Sequence, residues 1–242
     1  DTMPEEINRK LIDQMSDILF PPTKFDFNNL QKDNCLKSKK TYVVGNTITD
    51  VLKEYLPLAE KSKILEKLKL IKKKYFLVTL HRPESVDIKK NLSNLLKTLK
   101  ILHKKYDYPI IFPIHPRTKN NMKKLKLYFD KKIKIIEPLE YLEFLKLMND
   151  SKLILSDSGG IQEEASILGV PCVTLRTSTE RQITLLRKVN IMTGYNRNKI
   201  LKAVKEFHNK NIKKIKDFGV GNVTNKIYKK LIVLKKSQAT KI

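Results

Sequence analysis

The stretch SDSGGIQEEASILGVP, residues 156–171, combines residue types that can bind a phosphate group. Gly159 and Gly160 let backbone N–H groups approach a ligand closely because they carry no side chain. A helix that begins at this point directs the positive end of its dipole at the same spot, where a phosphate fits. Ser158 adds a hydroxyl donor, and Glu164, which lies about one turn into the helix, could accept hydrogen bonds from a vicinal diol such as a ribose.

Several side chains in and around this stretch also have a purely structural interpretation. Asp157 and Glu163 could simply cap the turn and the helix that follows it. Arg181, in TSTERQ, could clamp a phosphate or a carboxylate, or it could be a surface arginine at the start of a helix. Phe144, in YLEFLKLM, is more often a core residue, but it could line a pocket for a base. Taken alone, these residues leave both interpretations open.

Polar residues also follow three other apolar runs, at the point where each run ends. His81 and Arg82 follow the first of these runs. His115 follows the second, and Arg176 follows the third. Ligands of open parallel sheets bind beyond the carboxyl ends of the strands, so these strand ends are expected to form one binding site. A lone histidine is more often a core residue, but the adjacent Arg82 favours a functional role for His81.

The elements that must position these residues alternate between short apolar runs and segments with helical spacing. The runs that predict strands are residues 41–45, 75–81, 108–115, 133–138, 152–157 and 171–176. The segments between them, among them residues 121–129, carry apolar residues at positions i, i+3, i+4 or i+7, which is typical of helices. Such alternation predicts an α/β fold with parallel strands and right-handed crossovers, a Rossmann-like doubly wound sheet over residues 40–195.

The two ends of the chain do not follow this alternation. Residues 4–22 predict a helix with a proline at its start, acids in its first turn and two prolines after its end. The last forty residues predict two helices that are separated by DFGVGN, residues 217–222. These flanking segments could cap the doubly wound domain or belong to a second domain.

The composition narrows the class of protein further. The chain has 242 residues, 40% of them hydrophobic, and a formal net charge of +25. Because its lysines alternate with apolar residues at helical spacing, they predict solvated helix faces rather than a nucleic-acid surface. Apolar runs are too short to cross a membrane. The two cysteines, Cys35 and Cys172, form neither a metal-binding spacing nor a disulfide framework, so a cytoplasmic protein without a bound metal is expected.

Six motifs together give a more specific resemblance. They are MPEEINR, GNTITD, LHRPES, HPRT, SDSGGIQEEASILGVP and TSTERQ, in this order from about residue 2 to residue 225. In order and spacing they resemble the UDP-N-acetylglucosamine 2-epimerase family, of the non-hydrolysing type. The resemblance implies the C-terminal half of a two-domain, glycosyltransferase-B-like fold, with most of the N-terminal domain missing. It further implies elimination of UDP to a 2-acetamidoglucal and re-addition of UDP with C2 inverted, which gives UDP-N-acetylmannosamine without any cofactor.

The resemblance also implies a division of the chain and a nucleotide site. Residues 1–38 would be a remnant of the N-terminal domain and the interdomain segment, residues 39–200 the UDP-binding domain, and residues 201–242 helices that pack back across the domains. The diphosphate would be held by Ser158, Gly159, Gly160 and Arg181. The ribose would be bound by Glu164, and Phe144 would lie by the uracil.

The sugar and its surroundings are implied with less detail. His81 would lie beside the sugar and the departing diphosphate, and Glu5 would be an active-site carboxylate. Arg82 and His115 match positions near a second, regulatory UDP-sugar site. Ser85 stands where the family usually has asparagine, and Gln182-Ile183 stands where it has Pro-Glu. A hydrolysing 2-epimerase, an enzyme for a modified UDP-amino sugar and a non-catalytic UDP-sugar-binding protein therefore remain alternatives. The complete enzyme is expected to be a homodimer that supplies precursors of surface polysaccharide.

Overall fold

The computed structural model describes residues 4–36, 39–128, 130 and 133–239. The chain divides into two compact units. One is formed by the first 54 residues together with the residues from 216 onward, and the other by residues 55–215. The functional division at residues 38 and 200 that the resemblance implies is a different one and remains a prediction.

The regular elements are numbered in chain order. The strands are β1 (Ile18–Leu19), β2 (Lys40–Thr41), β3 (Phe76–Thr79), β4 (Ile110–Pro113), β5 (Ile133–Ile136), β6 (Leu153–Ser156), β7 (Cys172–Thr174) and β8 (Asn190–Met192). The helices are α1 (Pro4–Met15), α2 (Lys24–Lys32), α3 (Ile48–Ala59), α4 (Ile64–Lys67), α5 (Pro83–Val86), α6 (Lys89–Tyr106), α7 (Pro116–Lys124), α8 (Tyr141–Asp150), α9 (Gly159–Leu168), α10 (Gln182–Leu186), α11 (Arg197–His208) and α12 (Val223–Ala239).

The larger unit contains a six-stranded sheet in the order β5-β4-β3-β6-β7-β8, and every neighbouring pair is parallel. Counted from β3, this is the 3-2-1-4-5-6 order of doubly wound folds, in which the chain reverses its winding between β3 and β6. Thr79 pairs with Ser156 at the carboxyl ends of these two strands, and their hydroxyls lie 2.7 Å apart. The parallel sheet confirms the prediction, and the topology places the ligand crevice at this pair.

The core of the larger unit forms on the sheet because its central strands are apolar on both faces. Phe76 and Phe112 of neighbouring strands are fully buried. Leu92 and Leu99 bring one face of α6 into the same core, and Phe207 does so for α11. The strand β8 was not predicted, because the short sequence NIM has no apolar run of its own and is held by pairing with β7.

The smaller unit corrects the prediction for residues 41–45. Only Lys40–Thr41 is a strand, and it pairs with β1 rather than with the six-stranded sheet. Strand β1 lies within residues 4–22, the segment that was predicted to be a single helix. The observed helix α1 ends at Met15, before β1 begins. The rings of Phe20 and Tyr42 stack at 6.0 Å beyond the paired residues. The run therefore pairs with a strand of its own unit, which the local spacing did not reveal.

Two predicted helices differ in their bounds. The helix predicted over residues 121–129 is α7, which begins at Pro116 because Nδ1 of His115 accepts the backbone N–H of Arg117 (3.2 Å). The first of the two C-terminal helices ends at His208, and residues 210–216 are not helical. None of the helices in the described ranges combines the length and the apolar character that crossing a bilayer requires.

Candidate functional site

Asp157, directly after β6, joins the two strand ends at the point where the sheet reverses its winding. Its side chain is fully buried and accepts the backbone N–H groups of His81 (3.0 Å) and Arg82 (2.9 Å). Nδ1 of the His81 ring lies 3.2 Å from the same carboxylate. Burial by itself would raise the pKa of Asp157, but the hydrogen bonds from His81 and Arg82 outweigh it, so the pKa lies below its usual value. Asp157 therefore positions His81 and does not cap α9, which corrects one structural alternative.

The two histidines that follow β3 and β4 lie side by side, as the strand-end argument predicts. The ring centroids of His81 and His115 are 5.6 Å apart. The side chain of His81 is half-buried, and His115 is exposed. Arg117, near His115 in the sequence, forms an exposed ion pair with Asp87 (3.0 Å). The structure thus brings the predicted residues of these two strand ends together.

The start of α9 has the geometry of an anion cradle. Ser158 is the residue before the helix, and its side chain makes no capping hydrogen bond. Its backbone N–H donates to Ser156 Oγ (3.0 Å), which fixes the turn. The first N–H groups of a helix have no partner within the helix, and the dipole is positive there. A side chain at Gly160 would meet nothing closer than Ser158 Oγ at 4.0 Å, so this edge of the cradle is open.

Arg181 reaches α9 from the loop that follows β7. Its Nε lies 2.7 Å from Oε1 of Glu163, which is only 8% exposed. The backbone N–H of Arg181 donates to Thr179 Oγ1 (3.1 Å), and that hydroxyl donates to Gln162 Oε1 (2.7 Å). Asn190 at the start of β8 also donates to Gln162 (3.1 Å). This network holds the guanidinium beside the helix start, and Glu163 serves as its partner rather than as a cap.

Glu164 lies in a different environment from its neighbour Glu163. Burial, followed by the charge of Glu163, raises the pKa of Glu164 to about 7, against an opposing hydrogen bond from Tyr141. Tyr141 begins α8, and burial together with Glu164 raises its pKa to about 12. The half-buried Phe144 lies one turn further along α8, which packs against α9. A carboxylate whose pKa is raised by burial thus lies next to the aromatic side chain of Tyr141, on two helices that pack against each other.

Two contacts of this region were missed by sequence reasoning. Tyr141 pairs with Glu164 across two helices, and the side chains of Tyr195 and the fully buried Ser85 lie close together. No spacing signal relates residues of separate elements, so neither pair was predictable. Ser85, one of the departures from the family pattern, is an interior residue. Glu5 is the second residue of α1, and its side chain is outside the described part of the structure.

The described residues offer no site with three histidine, cysteine or carboxylate side chains that could hold a metal ion. Cys35 and Cys172 are both buried free thiols. What the strand ends provide is a set of cations and N–H donors together with a few carboxylates. This chemistry suits a phosphate-bearing ligand with hydroxyl groups.

Comparisons with known proteins agree with this geometry. A sequence model of the family UDP-N-acetylglucosamine 2-epimerase matches residues 1–232. The UDP-N-acetylglucosamine 2-epimerase of Methanocaldococcus jannaschii is 46% identical over 232 residues, 93% of this chain and 63% of that protein. The UDP-2,3-diacetamido-2,3-dideoxy-D-glucuronate 2-epimerase of Pseudomonas aeruginosa is 35% identical over 204 residues, 84% of this chain and 56% of that protein. The chain thus spans less than two thirds of the length of these relatives.

Solved structures extend the similarity to three dimensions. The Methanocaldococcus jannaschii enzyme in complex with UDP-GlcNAc and UDP matches with a TM-score of 0.86 at 46% identity, over 96% of this chain and 65% of that one. The Neisseria meningitidis enzyme bound to UDP-GlcNAc matches with a TM-score of 0.83 at 31% identity, over 95% and 65%. These matches confirm the predicted Rossmann-like half of a glycosyltransferase-B-like fold. With the family match over nearly its whole length, this chain belongs to the UDP-N-acetylglucosamine 2-epimerase family.

Proposed function

We propose that this chain binds UDP-N-acetylglucosamine as part of an enzyme that interconverts it with UDP-N-acetylmannosamine by eliminating and re-adding UDP. The observation that carries the proposal is the convergence of the α9 N-terminus, Arg181 and the easily protonated Glu164 at one edge of the sheet. Family membership and the relatives whose structures hold UDP-GlcNAc support it.

The diphosphate is the part of the ligand that the cradle suits best. Breaking the bond between C1 of the sugar and the diphosphate oxygen leaves negative charge on the diphosphate. The N–H groups of Gly159 and Gly160, the Ser158 hydroxyl and the Arg181 guanidinium would stabilise that charge where it develops. Glu164 would accept the ribose hydroxyls, with Tyr141 orienting its carboxylate, and Phe144 would lie against the uracil.

His81 is the proposed proton carrier beside the sugar, since inversion at C2 requires removal and return of a proton. When Nδ1 donates to Asp157, the other ring nitrogen of a neutral imidazole is an acceptor. Glu5 is the second proposed catalytic group, and Arg82 and His115 are proposed to contact a regulatory UDP-sugar. We propose a cytoplasmic homodimer for the complete enzyme, and the two free thiols are consistent with a reducing compartment.

Saturation-transfer NMR of UDP with this chain tests the nucleotide site. UDP is expected to bind, UDP-GlcNAc to displace it, and Glu164→Ala to lose most of the signal. Glu206→Ala, at an exposed glutamate that pairs with Lys210, is the matched control and is expected to bind like the wild type. Binding of UDP that is unchanged in Glu164→Ala would refute the ribose assignment, and no binding to the folded chain would refute the nucleotide site.

The reaction is tested by adding an N-terminal domain of the family in trans and following UDP-GlcNAc by proton NMR. UDP-N-acetylmannosamine is the expected product. Free N-acetylmannosamine would indicate a hydrolysing enzyme instead. Turnover of only a diacetamido uronic acid nucleotide would indicate the modified-sugar alternative, and no turnover of either substrate would favour a non-catalytic binding protein.

Binding of UDP-GlcNAc is expected to weaken as the pH falls through 7. The pKa of Glu164 is about 7 in the unliganded protein, and a protonated carboxyl accepts ribose hydrogen bonds less well. If only the carboxylate binds, the Kd at pH 6 is about tenfold higher than at pH 8. UDP-GlcNAc is the better ligand here, because the terminal phosphate of UDP itself titrates near pH 6. Calorimetry at both pH values measures the change in Kd. If the Kd of Glu164→Gln changes with pH as much as that of the wild type, the pH dependence does not come from Glu164.

A further inference from the structure

The carboxylate of Glu180 lies at the start of α9, inside the proposed phosphate cradle. A Cβ atom placed on Gly159 would lie only 2.6 Å from Oε1 of Glu180 and 3.9 Å from Nη1 of Arg176. The carboxylate therefore packs directly against the glycine backbone, and a larger side chain at this position would require the carboxylate to move away. This is the position at which a helix N-terminus attracts an anion.

Arg176 explains why an anion is needed there when no ligand is bound. Arg176 is only 6% exposed, and its Nη1 lies 3.1 Å from Oε2 of Glu180. A buried guanidinium without a counter-charge is strongly unfavourable, so it requires a partner in every state of the site. Burial would raise the pKa of Glu180, but its own backbone N–H and the charges of Arg176, Arg181 and Arg82 lower it below its usual value. Glu180 is consequently an anion at neutral pH.

We propose that Glu180 is an internal anion that occupies the phosphate cradle of the empty protein and is displaced when the diphosphate of the nucleotide sugar binds. The inference rests on the proposed function for the identity of the ligand. Two anions cannot share one helix start and one buried arginine, so displacing Glu180 subtracts from the affinity of the incoming diphosphate. Its return keeps Arg176 paired and favours the release of UDP.

The surroundings of Glu180 allow this exchange without rearrangement of the fold. Its side chain is 39% exposed, so an outward rotation leads to solvent. The flanking backbone is held, because Thr179 donates to Gln162 and accepts from the backbone N–H of Arg181. Rotation about the side-chain bonds of Glu180 is therefore sufficient to open the cradle.

Calorimetric titration of the wild type and Glu180→Gln with UDP and with pyrophosphate tests the proposal. Glu180→Gln is nearly isosteric and removes the competing charge, so both ligands are expected to bind about tenfold more tightly, a change of about 1.4 kcal/mol. Glu206→Gln removes a carboxylate of the exposed Glu206–Lys210 pair and is expected to bind both ligands like the wild type. Glu180→Asp keeps the charge but shortens the side chain, so a smaller gain is expected from withdrawal of the carboxylate alone. Circular dichroism establishes that each variant is folded.

The outcomes separate this proposal from the proposed function. If pyrophosphate binds more tightly to Glu180→Gln but neither protein binds UDP, the internal anion is supported and the UDP site is refuted. If Glu180→Gln binds neither ligand more tightly than the wild type, the internal anion is refuted, because Glu180 then assists ligand binding or serves only stability. An equal gain in Glu206→Gln would also overturn it, since net charge alone would explain the effect.

Discussion

Replacing Arg181 by alanine is expected to weaken UDP binding by about 10- to 100-fold, the range that a lost hydrogen bond between charged groups produces. Two effects act in the same direction. The variant lacks the guanidinium that is proposed to contact the diphosphate. It also leaves the carboxylate of Glu163, which is only 8% exposed and 2.7 Å from Arg181 Nε, without this partner beside the cradle. Calorimetric titration with UDP measures the loss.

The controls distinguish a specific contact from a general change of charge. Arg187→Ala removes a cation from an exposed residue at the other end of α10 and is expected to bind UDP within a factor of about two of the wild type. Arg181→Lys keeps the charge but not the planar fork, so an intermediate affinity is expected. Equal losses in Arg181→Ala and Arg187→Ala would mean that UDP responds only to the net charge of this basic chain.

Replacing Asp157 by alanine is expected to lower the free energy of unfolding by about 2–6 kcal/mol, since each of two backbone N–H groups that loses its acceptor costs about 1–3 kcal/mol. The substitution removes the acceptor of two backbone N–H groups, at His81 and Arg82, and both then lose their partner in the interior. It also releases the His81 ring, so any turnover is expected to fall with stability. Urea denaturation at pH 7 measures the stability change.

The pH dependence of stability checks the same residue. Because the pKa of Asp157 is lower in the folded protein, its contribution is present above the unfolded value of about 3.9 and is lost as the pH falls through the folded value. Asp157→Ala is therefore expected to lose less stability than the wild type below about pH 4. Asp87→Ala, at an exposed ion pair with Arg117, is the matched control and is expected to cost less than about 1 kcal/mol. A similar cost for the two variants would refute the structural role of Asp157.

Much of the candidate site was predictable because its signals are local. Ser158, Gly159 and Gly160 are neighbours in the chain, and their position between an apolar run and a helical pattern already predicts a cradle at a helix start. The parallel sheet follows from alternation over the same local scale. The bounds of the elements were less predictable, since the three-residue strand β8 and the pairing of β1 with β2 depend on partners elsewhere in the chain.

The sequence by itself determined the family, the doubly wound sheet and the polar residues at the carboxyl ends of its strands, because motifs and periodicity are properties of short segments. Only the tertiary structure decided which side chains meet. Asp157 reaches His81 across 76 positions, Tyr141 reaches Glu164 from another helix, and the carboxylate of Glu180 rests on Gly159. These contacts depend on strand order, helix packing and the course of a loop. No local pattern in the sequence predicts them, because they form only when distant segments are brought together by the fold.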